Sequence, residues 1–264
     1  MLGNMTPPIA PETSHLRLPD GRTLAWYEFG TPDGPPVLVL PGSGCSGTAG
    51  ALVHAAAVAQ GLRVIAIDRP GLGDSDRAVA GSPLCAYADD VAALADALDL
   101  TRFAVFAHSL GGAYALAVGH RLADRIPLLA IAAGSGPYAE HWFRVTMPAA
   151  SRRYHALAVR WPAIFAALYG LSTPRSARGI DRLVRLASRG GSVESDYARR
   201  HPDEVRVSLE AMARGRAHGS RGPTDDITRV DRPWGFAPED VGDPVSWWHG
   251  DADHIIPFSH GEHM

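Results

Sequence analysis

The sequence contains no lysine: all 25 of its basic residues are arginine. Every fixed side-chain cation is therefore a guanidinium. Cysteine is almost as scarce. Only Cys45 and Cys85 occur, which excludes a disulfide framework, and no CxxC pair offers metal-ligand spacing. Both thiols are expected to be reduced, as in a cytoplasmic protein. No apolar run approaches the roughly 18 residues that span a bilayer. Residues 1–13 are Pro-rich and lack a basic start followed by an apolar stretch, so they do not read as a secretory signal. A short disordered leader is expected there. The net charge of −3 is too small to call for a nucleic-acid or membrane partner.

What is present fits a globular chain. Its 264 residues are 46% hydrophobic and 20% charged, enough for one large domain. The charge is unevenly spread. Residues 141–235 hold 17 Arg against 9 acids, whereas the remainder holds 8 Arg against 19 acids. Such a split points to two parts with different roles.

Strand-like and helix-like segments alternate along the first half. His15–Leu18 and Thr23–Phe29 flank a Pro19-Asp20-Gly21 turn and read as a hairpin. Short apolar runs at Val37–Leu40, Arg63–Ile67, Phe103–Ala107 and Leu128–Ala132 read as buried strands. Helices are expected over Thr48–Gln60, Tyr87–Leu98 and Leu110–Leu122. This alternation implies an α/β fold with a mostly parallel, doubly wound sheet. The rhythm stops after Pro137 and resumes at Pro244–Trp248. Residues 138–235 are then a helical insertion, with a core made of 14–137 and 236–264.

The central feature is Ala107-His108-Ser109-Leu110-Gly111-Gly112, between a strand and a helix. A serine wedged there takes a strained backbone conformation that exposes its hydroxyl. The helix end behind it offers unpaired N–H groups, which favour negative charge on a substrate oxygen. The turn resembles the G-x-S-x-G elbow of the α/β-hydrolase family, with Ala107 in place of the first glycine. The resemblance extends over three more segments. Leu40-Pro41-Gly42-Ser43-Gly44 matches the family's oxyanion loop, with Pro41 where a histidine is usual. Asp68-Arg69-Pro70-Gly71-Leu72-Gly73 resembles a structural turn, so Asp68 and Arg69 are given no chemistry beyond a fold-stabilising contact. His249-Gly250-Asp251-Ala252-Asp253 resembles the segment that presents the triad acid.

The resemblance implies a serine hydrolase with helical cap, acting on a small carboxylic ester or related acyl compound. It makes Ser109 the nucleophile and Asp253 the acid, with Asp251 as competitor. The N–H groups of Ser43 and Leu110 become the oxyanion donors. No cofactor and no metal are implied, and the partner is a small molecule. Other chemistry of the same family, or ligand binding without turnover, stays open.

The family's triad histidine normally follows the acid by a helix and a further strand. Only eleven residues follow Asp253 here, so that histidine is expected to be missing. The chain is then a fragment, or His254, His260 or His263 substitutes, or the chain is a non-catalytic relative. His108 is expected to pack into the fold. His141, His155, His201 and His218 are expected to be surface or cap residues. The aromatics Trp142, Phe143, Tyr154, Trp161, Phe165 and Tyr169 form either the insertion's own core or an acyl pocket beneath it.

Overall fold

Strand alternation divides the apolar residues between two cores, one on each face of a sheet. In the computed structural model, which describes residues 12–242 and 245–264, β3 (Pro36–Leu40) points Leu38 and Leu40 to one side and Val39 to the other. β4 (Arg63–Ile67) does the same with Ile65 and Ile67 against Val64 and Ala66. The expected leader falls almost wholly outside the described residues, as does Pro244.

The sheet has seven strands in the order β1-β2-β4-β3-β5-β6-β7. β1 (Ser14–Arg17) and β2 (Thr23–Gly30) form the expected hairpin. β2 runs antiparallel to β4. From β4 onward every pairing is parallel, through β3, β5 (Ala104–His108), β6 (Leu129–Ala132) and β7 (Val245–Trp248).

One expected helix is altered. Gly47–Val53 forms a tight 3₁₀ turn, and only His54–Ala59 (α1) is α-helical. Glycine disfavours a regular helix, and here it is needed for contact. A Cβ on Gly50 would lie 2.6 Å from the Phe29 ring. The next two helices match the reading closely. α2 (Tyr87–Ala97) buries Tyr87, Val91, Leu94 and Ala95, with Asp89 and Asp90 in its first turn, where the helix dipole favours acids. α3 (Gly111–Arg121) is buried from Gly111 to Gly119. It runs through the core directly behind Ser109.

Among the described residues, seven α-helices intervene between β6 and β7: α4 (His141–Thr146), α5 (Ala149–Arg160), α6 (Pro162–Ser172), α7 (Ala177–Ala187), α8 (Val193–Arg200), α9 (Pro202–Gly215) and α10 (Arg221–Val230). Ser176 and Ser192 cap α7 and α8 by accepting backbone N–H groups, each such cap contributing about 1 kcal/mol. α11 (Phe258–His263) ends the described chain. Among the described residues, no helix is long and apolar enough to cross a membrane.

Candidate active site

Ser109 directly follows β5 with φ +55, a left-handed conformation unusual for a residue with a side chain. Three hydrogen bonds hold it there. Its N–H donates to Ala132 O (2.9 Å), and its carbonyl accepts from Gly112 N (2.9 Å) and Ser135 N (3.2 Å). Gly111 must be glycine, because a Cβ would collide with the carbonyls of Leu40 and Pro41. The strand, the oxyanion loop and α3 therefore converge on one point.

The loop after β3 brings Ser43 to the same point. Among the described residues, neither the Ser43 N–H nor the Leu110 N–H donates to the protein. Ser43, Ser109 and Leu110 line a common cavity of about 360 Å³. Two free donors and a half-buried hydroxyl thus face one space, an arrangement able to accept negative charge on a bound oxygen.

Arg69 holds this loop from below. It is fully buried, and so is Asp226 of α10. Arg69 donates through Nε to Asp226 Oδ1 (2.9 Å) and through Nη2 to Asp226 Oδ2 (2.8 Å). It also donates to Gly42 O (2.8 Å) and to Pro41 O. Asp226 Oδ2 in turn accepts the Gly44 N–H at 3.1 Å. Burial opposes the charge on both partners, but their mutual attraction prevails, lowering the Asp226 pKa and raising that of Arg69. The fold-stabilising contact expected of Arg69 is thus a clamp between insertion and oxyanion loop.

Asp253 lies in the turn after β7. Its Oδ1 accepts the N–H groups of Ile255 (2.8 Å) and Ile256 (3.0 Å). Its Oδ2 lies 3.4 Å from His249 Nε2. Asp251, the competitor, is exposed. Ile255 and Ile256 reach the cavity that holds Ser109.

Residues 35–264 match the family described as alpha/beta hydrolase fold. The chain belongs to that family. A curated relative is the dihydrolipoyllysine-residue acetyltransferase component of an acetoin cleaving system from Pseudomonas putida. It is 35% identical over 116 residues, which is 44% of this chain and 31% of the relative. The chain thus spans about a third of that relative's length. Among solved structures, the esterase EaEST from Exiguobacterium antarcticum superposes with a TM-score of 0.66 at 17% identity, covering 95% of this chain and 85% of that one. An enol-lactonase from Burkholderia xenovorans LB400 gives 0.65 at 18% identity, covering 94% and 85%. At these identities the two structures speak to the fold alone.

Within this hydrolase fold the histidines are widely distributed. Among the described residues, none bonds the Ser109 hydroxyl. His249 is buried, with both ring nitrogens engaged: Nδ1 accepts from Trp247 Nε1 (3.3 Å) and Nε2 donates to Ile256 O (2.9 Å). His260 is buried among Tyr138, Trp142 and Phe143. Burial, with help from His249 and His263, pushes its pKa down to about 4. His263 stacks on Trp142, and His254 is exposed. None of these lines the cavity.

Two other histidines do reach the space around Ser109. His108 does not pack inward as expected. It lies exposed on a second cavity of about 570 Å³ that also touches Ser109 and Ser43. Its neighbours still crowd it, and desolvation lowers its pKa, partly opposed by the charge of Asp253. An alternating strand gives adjacent residues opposite faces, but the turn at Ser109 breaks that rule for its neighbour. His155 of α5 lines the smaller cavity with Tyr138 and Tyr154. Its signal in the sequence was only its place on a helix with aromatic neighbours, which gives no direction.

The six aromatics divide. Phe143, Phe165 and Tyr169 are buried, and Trp161 is 52% exposed. Tyr154 alone of the six lines the smaller cavity.

Proposed function

We propose that the chain is a serine hydrolase acting on a small carboxylic ester or related acyl compound. Ser109 Oγ bonds to the carbonyl carbon, and the carbonyl oxygen takes the charge. The N–H groups of Ser43 and Leu110 hold that oxygen. The carbonyl re-forms as the C–O bond to the alcohol breaks, the alcohol leaves with the proton given up by the Ser109 hydroxyl, and water then splits the acyl-enzyme into the acid and the restored serine hydroxyl. Asp253 is the carboxylate placed to orient a triad histidine and stabilise its charged form, a histidine role that none of the described residues fills. The helices over 138–235 act as a cap that shapes the substrate space. We assign the enzyme to the cytoplasm, which suits the free thiols of Cys45 and Cys85.

One observation carries this reading: a left-handed serine shares a cavity with two N–H groups that have no acceptor among the described residues. The test is labelling by a fluorophosphonate probe together with hydrolysis of 4-nitrophenyl esters. Both are expected in the intact protein and neither in Ser109→Ala. Absence of both in the intact protein overturns the reading.

A second reading rests on a different observation. No imidazole among the described residues touches the Ser109 hydroxyl, and a serine without a base is a weak nucleophile. A ligand-binding protein without turnover would show unchanged affinity in Ser109→Ala and no covalent label.

A further inference from the structure

The smaller cavity has a polar feature that the hydrolase chemistry leaves unused. His155 projects from α5, and its Nδ1 lies 2.9 Å and 3.0 Å from the two carboxylate oxygens of Asp231. Both side chains are largely buried, at 17% and 6% exposure. The ring is gripped from the side as well. Tyr138 meets it edge-on at 4.7 Å and Tyr154 at 5.7 Å between ring centres.

The carboxylate decides where the ring carries its proton. Asp231 can only accept, so Nδ1 must donate. In the neutral ring Nε2 then holds a lone pair and no hydrogen. Among the described residues Nε2 has no partner, and it is not one of the sealed, unpartnered buried atoms. His155 lines the same cavity as Ser109.

The rest of that wall is apolar or adaptable. Leu110, Ala150, Ile255 and Ile256 offer no polar side-chain atom. Ser151 is already committed to Ile255 O at 3.1 Å. Burial pushes Tyr138 and Tyr154 up to about 12, so both stay protonated, and a hydroxyl can turn to donate or accept. Nε2 cannot turn. With the ring neutral it is a fixed acceptor in a small-molecule-sized space.

The geometry points to His155 as a substrate-binding residue whose Nε2 accepts a hydrogen bond from an O–H on the molecule held at Ser109. The ligand class is a hydroxylated ester, with the hydroxyl in its acyl or its alcohol arm. This inference rests on the hydrolase reading for the position of the carbonyl. A site built around an acceptor disfavours a ligand that lacks the donor, because the acceptor is left without a partner.

The test needs no turnover. Ethyl butyrate, ethyl 3-hydroxybutyrate and 2-hydroxyethyl butyrate are titrated into the Ser109→Ala protein by calorimetry. One hydroxylated ester is expected to bind about tenfold more tightly than ethyl butyrate, the scale of one net hydrogen bond. His155→Phe in the same background is expected to erase that difference. Asp231→Asn, which lets the ring move its proton to Nε2, is expected to erase it as well, and serves if the phenylalanine variant does not fold. Equal binding of all three esters overturns the inference. So does an advantage that persists in either folded variant. Fluorophosphonate labelling of the intact protein, run alongside, decides the hydrolase reading separately.

Discussion

The two walls of the smaller cavity are built differently. On the core wall, Leu110 and Ser43 present backbone N–H groups and Ser109 a hydroxyl, all set by strand register and by a turn with three hydrogen bonds. On the wall from the insertion, Tyr138, Tyr154 and His155 present side chains, set by ring packing and one carboxylate. Backbone placement tolerates changes in neighbouring side chains so long as the turn forms. Side-chain placement does not, and this is where relatives with one fold can diverge in substrate.

Substitutions can break this contrast, and the largest effect is expected on the core wall. Ser109→Ala should lower ester hydrolysis at least a thousandfold while leaving ligand affinity nearly unchanged, as judged by steady-state rates and by titration. Unchanged hydrolysis would mean that Ser109 is not the reacting group.

The next effect lies at the seam between the walls. Asp226→Ala leaves the Arg69 charge buried and unpaired, and should cost about 3–5 kcal/mol in urea unfolding. Replacing both partners, as in R69M/D226L, should recover most of that stability, because neither charge then has to be desolvated. It should not restore the hold on Pro41 and Gly42, so activity should remain impaired although the protein is stable.

Within the insertion, Phe165→Ala should cost about 3 kcal/mol, since the ring is buried and its loss leaves a void. Trp161→Ala should cost under about 0.5 kcal/mol, as that ring stays half in water. Thermal or urea unfolding of the pair separates core aromatics from surface ones.

A pH titration gives an effect between those two. His260 is held at about 4 in the folded protein against an ordinary 6.5. The unfolded chain therefore binds more protons between these values, and stability should fall as pH drops from 6.5 toward 4. The loss should be on the order of 2 kcal/mol. His260→Gln should flatten the curve in that window.

Much of the fold was legible because its cause is local. Strand alternation, the Pro19-Asp20-Gly21 turn and the amphipathic face of α2 are written within a few residues of each other. The 3₁₀ turn at Gly47–Val53 was not legible, since the close approach of Gly50 to Phe29 is long-range. The turn at Ser109 could be read because its small residues and the flanking strand and helix are contiguous. The clamp could not, because Arg69 and Asp226 lie 157 positions apart. The same holds for His155 and Asp231, 76 positions apart. The basic character of the insertion also misled. It implied two parts with different roles but no pairing between them; an arginine of the insertion does meet an acid of the core at Arg214 with Asp74. At two other contacts the polarity is reversed, with Arg69 and Arg77 of the core meeting Asp226 and Asp225.

The clamp also bears on chimeras. Helical insertions look like modules that could be exchanged between relatives to change substrate choice. Asp226 argues otherwise here, because its Oδ2 also accepts the N–H of Gly44 from the opposite end of the chain. A transplanted insertion lacking an acid at that position would strand a guanidinium beneath the oxyanion loop. Exchange in this protein would therefore have to end before α10, or bring a compensating change at Arg69 with it.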